Sequence, residues 1–184
     1  ISYSSGMQPD FDDIRFVDSY CNNSGNLLDY ELINHVSGEY ANFYVKIDSL
    51  GASGDTISIY YGDSTVSSLS NGTAVWSNSY TSVYHLEHTS GDAEDVLGAF
   101  NATDSIDPDS NMNTIGIVGL SDYFDGDDGL TGNPEWDVDG AHMYCAWINF
   151  STSDDGVILE DGGTVDGTGL GITSGKLRYA ECSG

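Results

Sequence analysis

The chain has 184 residues with 30 Asp and Glu against 4 Lys and Arg, a formal net charge of -26, which excludes nucleic acid as a partner and disfavours anionic membrane surfaces. The length suffices for one large β-sandwich or two small ones without help from a metal or a disulfide, and no run approaches the roughly 18 apolar residues of a membrane-crossing helix, so no membrane insertion is expected. With 23 Gly, 12 Tyr and 3 Pro, and Ser, Thr, Asn and Asp between short apolar runs, the composition predicts an all-β protein of many short antiparallel strands joined by turns.

Strands are predicted over residues 13–17, 27–33, 41–47 and 56–61. In the third, Phe43, Val45 and Ile47 share one face, and in the fourth Ile57, Ile59 and Tyr61 do the same, the period-2 pattern of half-buried antiparallel strands. A polar, turn-like stretch follows at 63–72. A second series is predicted at 74–76, 83–86, 114–118 and 123–124, within a long Asp-, Gly- and Asn-rich region. Residues 142–150, His-Met-Tyr-Cys-Ala-Trp-Ile-Asn-Phe, give the clearest strand of the later half, with Trp147 expected in the core. Strands at 157–159 and 176–179 flank a glycine-rich, hairpin-like run.

Cys21, Cys145 and Cys182 lack the close spacing of a zinc or redox site. Outside the cell an odd count suggests one internal pair and one further thiol, and Cys145 with Cys182 is the expected pair, since both sit in strand-like segments of one half. Asn22, Asn71, Asn101 and Asn149 fit the N-x-S/T glycosylation pattern and must face solvent if modified. The acidic groups Asp104, Asp107 and Asp109, and Asp125, Asp127 and Asp128, offer the hard oxygens that suit Ca2+; neither forms a twelve-residue EF-hand loop, and adaptation to salt is the other reading of the charge. Trp136, in a loop after Asn133-Pro134-Glu135, is the candidate for stacking on a sugar ring.

Four ordered blocks, residues 7–18 (MQPDFDDIRFVD), 27–31 (LLDYE), 43–47 (FYVKI) and 59–63 (IYYGD), resemble the domain-of-unknown-function family numbered 2341, with Tyr44 where that family has Trp and Asp63 where it has Asn. The resemblance covers about residues 6–76. The later half, about 77–184, resembles a concanavalin A-like, laminin-G-like jelly roll through residues 83–87, 91–95, 123–128, 145–148 and 175–179. Together these imply a domain over 1–76 and a partial β-sandwich over 77–184, which could merge into one. Both families carry strands beyond this sequence, so each sandwich is expected to lack strands, completed by the rest of a longer chain, by the other half, or by a neighbouring subunit.

Catalysis is not expected. The Glu residues show no paired, strand-borne arrangement of the glycosidase type, there is no G-x-S-x-G elbow, and His35, His85, His88 and His142 form no triad motif. Ile1 opens mature-looking sequence, as expected of an exported chain whose signal has been removed or left out. A filament subunit lacking an apolar amino-terminal helix would have to join by β-structure. The expectation is an extracellular structural subunit that polymerises with copies of itself by strand complementation; the alternative is a carbohydrate-binding or adhesion module of a larger surface protein. In the segment 1–6, Ile1 and Tyr3 point to one side of an extended strand and would enter a groove, with Gly6 as a flexible exit.

Overall fold

The computed structural model describes residues 1–18, 25–52, 54–104, 114–126, 128–132, 141–162 and 167–182, the side chains of Asp104 and Cys182 excepted. It is all-β, its strands paired antiparallel, with a single five-residue helix among the described residues. Two compact units divide it, Ile1–Phe124 with Asp128–Asn133, and Asp125–Asp127 with Pro134–Gly184. The position expected to end a first domain, residue 76, falls inside the first unit.

That unit contains β1 (Arg15–Val17), β2 (Tyr30–Val36), β3 (Tyr40–Val45) and β4 (Ser58–Tyr60). Then come helix α1 (Gly72–Trp76) and the two-residue strands β5 (Thr103–Asp104), β6 (Thr114–Ile115), β7 (Leu120–Ser121) and β8 (Leu130–Thr131). The pairs are β1–β4, β2–β3, β5–β8 and β6–β7. Its core joins Met7, Phe11, Ile14, Phe16, Tyr30 and Ala41, with Ile1, Leu28, Leu32, Phe43 and Val45 packed against them. Phe16, Tyr30 and Phe43 meet edge to face, their ring centroids 5.4 to 5.8 Å apart, the arrangement favoured by the ring quadrupole. Phe11 takes a left-handed φ of 63°, a cost of about 1–2 kcal/mol, which is offset by its complete burial at about 1.5–3 kcal/mol.

The 13–16 block is structural at every position. The buried Asp13 carboxylate accepts from Gln8 N at 2.9 Å and Gly62 N at 2.6 Å, tying the first turn to the end of β4. Ile14 and Phe16 fill the core. The Arg15 guanidinium donates to the carbonyls of Asp12, Ile14 and Ser67 and to the Tyr30 hydroxyl. Lys46 Nζ likewise donates to Ala74 O at 3.0 Å and Ser77 Oγ at 3.1 Å. Both cations thus hold backbone carbonyls of neighbouring segments.

Three sequence expectations are corrected. Residues 74–76 belong to α1, not to a strand, because Asn71 Oδ1 caps the helix by accepting from Ala74 N at 3.1 Å. In β4 it is Ser58 that is buried, whereas Ile57, Ile59 and Tyr61 are exposed; among the described residues β4 pairs with β1 alone, so side chains on the expected face have neighbours on one side only. Residues 142–150 form no strand, and Trp147, expected in the core, is 78% exposed.

The second unit holds β9 (Gly156–Gly162), β10 (Gly167–Thr173) and β11 (Lys176–Cys182) in the order β9-β10-β11, with an irregular register at Leu170/Gly171. Ser174 and Gly175 both have positive φ, 51° and 64°, which a type I′ turn demands between two twisted strands. Tyr144 Oη lies 2.8 Å from Oγ1 of the buried Thr168. No closed sandwich is present among the described residues.

Candidate functional site

Residues 1–3 lie along the β3 edge of the first unit. Ile1 N donates to Ala41 O at 2.7 Å, Ala41 N to Ile1 O at 2.9 Å and Tyr3 N to Glu39 O at 2.7 Å, and Ser2 bridges antiparallel to Tyr40. Ile1 packs on the core, and the exposed Tyr3 has its ring at 85° to that of Phe11 with centroids 6.1 Å apart. The edge that receives this segment is the chain's own. Gly6, at φ 104°, turns the chain out of the groove, a conformation that side chains strongly disfavour, and Met7 then enters the core.

On the other side of the β2–β3 pair, Glu31 and Tyr44 stand opposite each other. Glu31 Oε2 accepts from Trp76 Nε1 at 2.6 Å and lies 3.1 Å from His85 Nε2. Tyr44 stacks on His85, and Trp76 meets Tyr44 and Tyr80 edge to face. Burial, with the Glu31 and Glu87 charges, pushes the Tyr44 hydroxyl above the usual tyrosine range. An adjoining cleft of about 680 Å³ is lined by Glu31, Thr73, His85, Glu87, Asp92 and Glu94, among others. Sequence reading missed this cluster, since Glu31 and His85 are 54 positions apart and no local motif joins them. It also missed Asp95, a buried carboxylate that accepts from four backbone amides, those of Val83, Leu97, Ala99 and Phe100, at 2.9 to 3.2 Å.

The sequence-derived site residues are dispersed. Asn71, Asn101 and Asn149 are exposed. The first two use Oδ1 as acceptor, from Ala74 N and Asp95 N, whereas a glycan would attach through Nδ2. Asn22, Asp107, Asp109, Asp127 and Trp136 lie outside the described residues, as does the side chain of Asp104. Asp125 is exposed and Asp128 half-buried, and among the described residues no group of three or more His, Cys, Asp or Glu is placed to hold a metal ion. Cys145 is exposed and makes no disulfide among the described residues, and the side chain of Cys182, its expected partner, lies outside them.

Three exposed carboxylates are held below the usual range, mainly by local side-chain hydrogen bonds: Asp18 from Asn26, Asp63 from Thr65 and Asp154 from Ser151. A pKa lowered in the folded state adds stability above the unfolded value that is lost as pH falls through the folded one. Asn26→Ala should therefore raise the Asp18 titration midpoint toward that of an ordinary aspartate, read by NMR of the side-chain carboxyl. An unmoved midpoint would contradict the assignment.

Comparison with known proteins gives one match. The family model described as "Domain of unknown function (DUF2341)" matches residues 10–138. No curated protein and no solved structure matches the chain.

Proposed function

The chain belongs to the DUF2341 family, and on that premise we propose that it is an extracellular structural subunit of a surface filament, assembled by exchange of a β-strand between copies. The observation that carries this reading is the segment 1–6, which behaves as an added strand. It joins the edge through backbone hydrogen bonds to Glu39 and Ala41, with Ile1 packed on the core and the half-covered Tyr3 ring beside Phe11, and it leaves through a glycine turn. The same contacts made in a neighbour's groove are the strand addition by which peptides dock on sheet edges. Repeated head to tail, that exchange generates an open fibre. Electron microscopy of the purified chain tests it, with regular filaments the expected result.

The later half is proposed as a partial concanavalin A-like, laminin-G-like sandwich, for which the β9–β11 sheet supplies one antiparallel layer. Cys145 with Cys182 as a disulfide, and glycans on Asn22, Asn71, Asn101 and Asn149, complete the extracellular reading. Ca2+ is proposed at Asp104, Asp107 and Asp109 and at Asp125, Asp127 and Asp128, supported by the scarcity of basic residues to neutralise them. Its removal by a chelator at fixed ionic strength should then lower the melting temperature by several degrees. An unchanged melt would leave the charge as salt adaptation.

A second reading, a carbohydrate-binding or adhesion module, is favoured by one feature, the aromatic group Tyr44, Trp76 and Tyr80 beside the acidic cleft, with Trp136 as a further stacking candidate. Monodisperse monomers that bind a glycan array would favour it over the filament.

A further inference from the structure

Tyr3 and Ser4 are both fastened to Met7. Met7 N donates to Ser4 O at 3.0 Å, Ser4 N donates to Met7 Sδ at 3.3 Å, and Tyr3 Oη donates to Met7 O at 3.2 Å. These bonds close the turn by which residues 1–3 fold back onto β3, with Gly6 inside it. Met7 is also the most exposed member of the buried core cluster, at 8% against 0% for Phe11, Ile14 and Ala41, and it brings the one sulfur to that cluster among the described residues. We propose that Met7 is an oxidation-sensitive clasp, a modification site at which conversion of the thioether to the sulfoxide by a peroxide releases the amino-terminal strand from its own sheet.

In that step hydrogen peroxide transfers one oxygen atom to Sδ and leaves as water, while the sulfur gives up two electrons. A flexible apolar side chain becomes a polar one. On the side facing Ser4 the new oxygen has no room, since an N–H···O bond alone takes about 2.9 Å and the whole gap from Sδ to Ser4 N is 3.3 Å. On the side facing the core it would sit among apolar side chains without a donor, which is unfavourable. Opening the turn relieves both, because it brings the sulfoxide to water and gives up the contacts of one short strand, leaving the β1–β4 and β2–β3 pairs in place. Leucine would fill nearly the same volume, so it is the sulfur that adds both the acceptor for Ser4 N and the sensitivity to oxidant.

The clasp acts within a single chain and holds whether or not a released strand goes on to build filaments, so amide exchange reads the one and electron microscopy the other. The test uses the full chain carrying Met112→Leu and Met143→Leu, which leaves Met7 as its one methionine. Dilute hydrogen peroxide is added, mass spectrometry locates the added oxygen, and NMR follows amide hydrogen exchange. The amides of Tyr3 and Ala41, which donate to Glu39 O and Ile1 O, should exchange at least about 10-fold faster in the sulfoxide form. Those of Leu28 and Lys46, which donate to Phe16 O and Asp29 O, should keep their protection, and methionine sulfoxide reductase should restore the first pair. The same chain with Met7→Leu should show no change under peroxide, which sets oxidation of the cysteines aside. A Met7 that peroxide leaves unmodified in the folded chain, unchanged exchange at Tyr3 and Ala41 in the sulfoxide form, or an equal loss of protection at Leu28 and Lys46 would overturn the proposal.

Discussion

Asp95→Ala should destabilise the first unit by about 3–5 kcal/mol, a large share of the 5–15 kcal/mol typical of a folded domain. The carboxylate gathers four backbone amides from Val83 to Phe100, and a buried amide left without an acceptor costs about 1–3 kcal/mol before water recovers part of it. Regular pairing lends this backbone little support, as Tyr84 and Ala93 make isolated bridges, to Asp95 and Ala102. Asp95→Asn should be nearly as damaging. One side of the carboxylate accepts from Val83 and Leu97 and the other from Ala99 and Phe100, so a carboxamide must turn its NH2 toward two donors. Urea unfolding followed by circular dichroism measures both, and a loss below about 1 kcal/mol for Asp95→Ala would refute this role.

Removing residues 1–5 should have two separable effects. The first is a loss of about 2–4 kcal/mol from the subunit, since three edge hydrogen bonds at about 1 kcal/mol each go together with the partial burial of Ile1 and Tyr3. It also uncovers the β3 edge and the rings of the core beneath it, an open template for a strand from elsewhere. The second is loss of assembly. A segment that merely braces its own chain would show the first effect alone, so retained polymerisation by the shortened chain would exclude the segment as the exchanged strand.

The sequence reading was strongest where one segment carries its own pattern. Residues 41–45 and the 13–16 block could be placed because alternation marks a buried face and because close turns leave few choices of partner, whereas Ile47, expected on the same face, lies past the end of β3 and is exposed. Residues 167–173 gave no such signal, as Gly167, Gly169 and Gly171 carry no side chain to alternate, although β10 is the central strand of its sheet. Residues 142–150 gave a strong signal that failed: β-propensity describes fitness for a pleated surface, while pairing requires a second segment that composition does not reveal. Residues 74–76 looked like a strand through Val75 and Trp76, and the Asn71 cap was the overlooked sign of a helix. Glu31 and His85 meet across 54 positions, beyond the reach of spacing rules. Of the groove, Ile1, Tyr3 and Gly6 were legible in the sequence, but the identity of the receiving edge was not.

The most direct test of strand exchange is electron microscopy of the chain lacking residues 1–5, with and without a synthetic peptide of residues 1–6, beside the intact chain. The account predicts filaments from the intact chain and none from the shortened one, together with a rise in the shortened chain's melting temperature when the peptide fills the vacated groove. Filaments of unchanged form from the shortened chain, or an intact chain that stays monomeric at every concentration and salt, would contradict it.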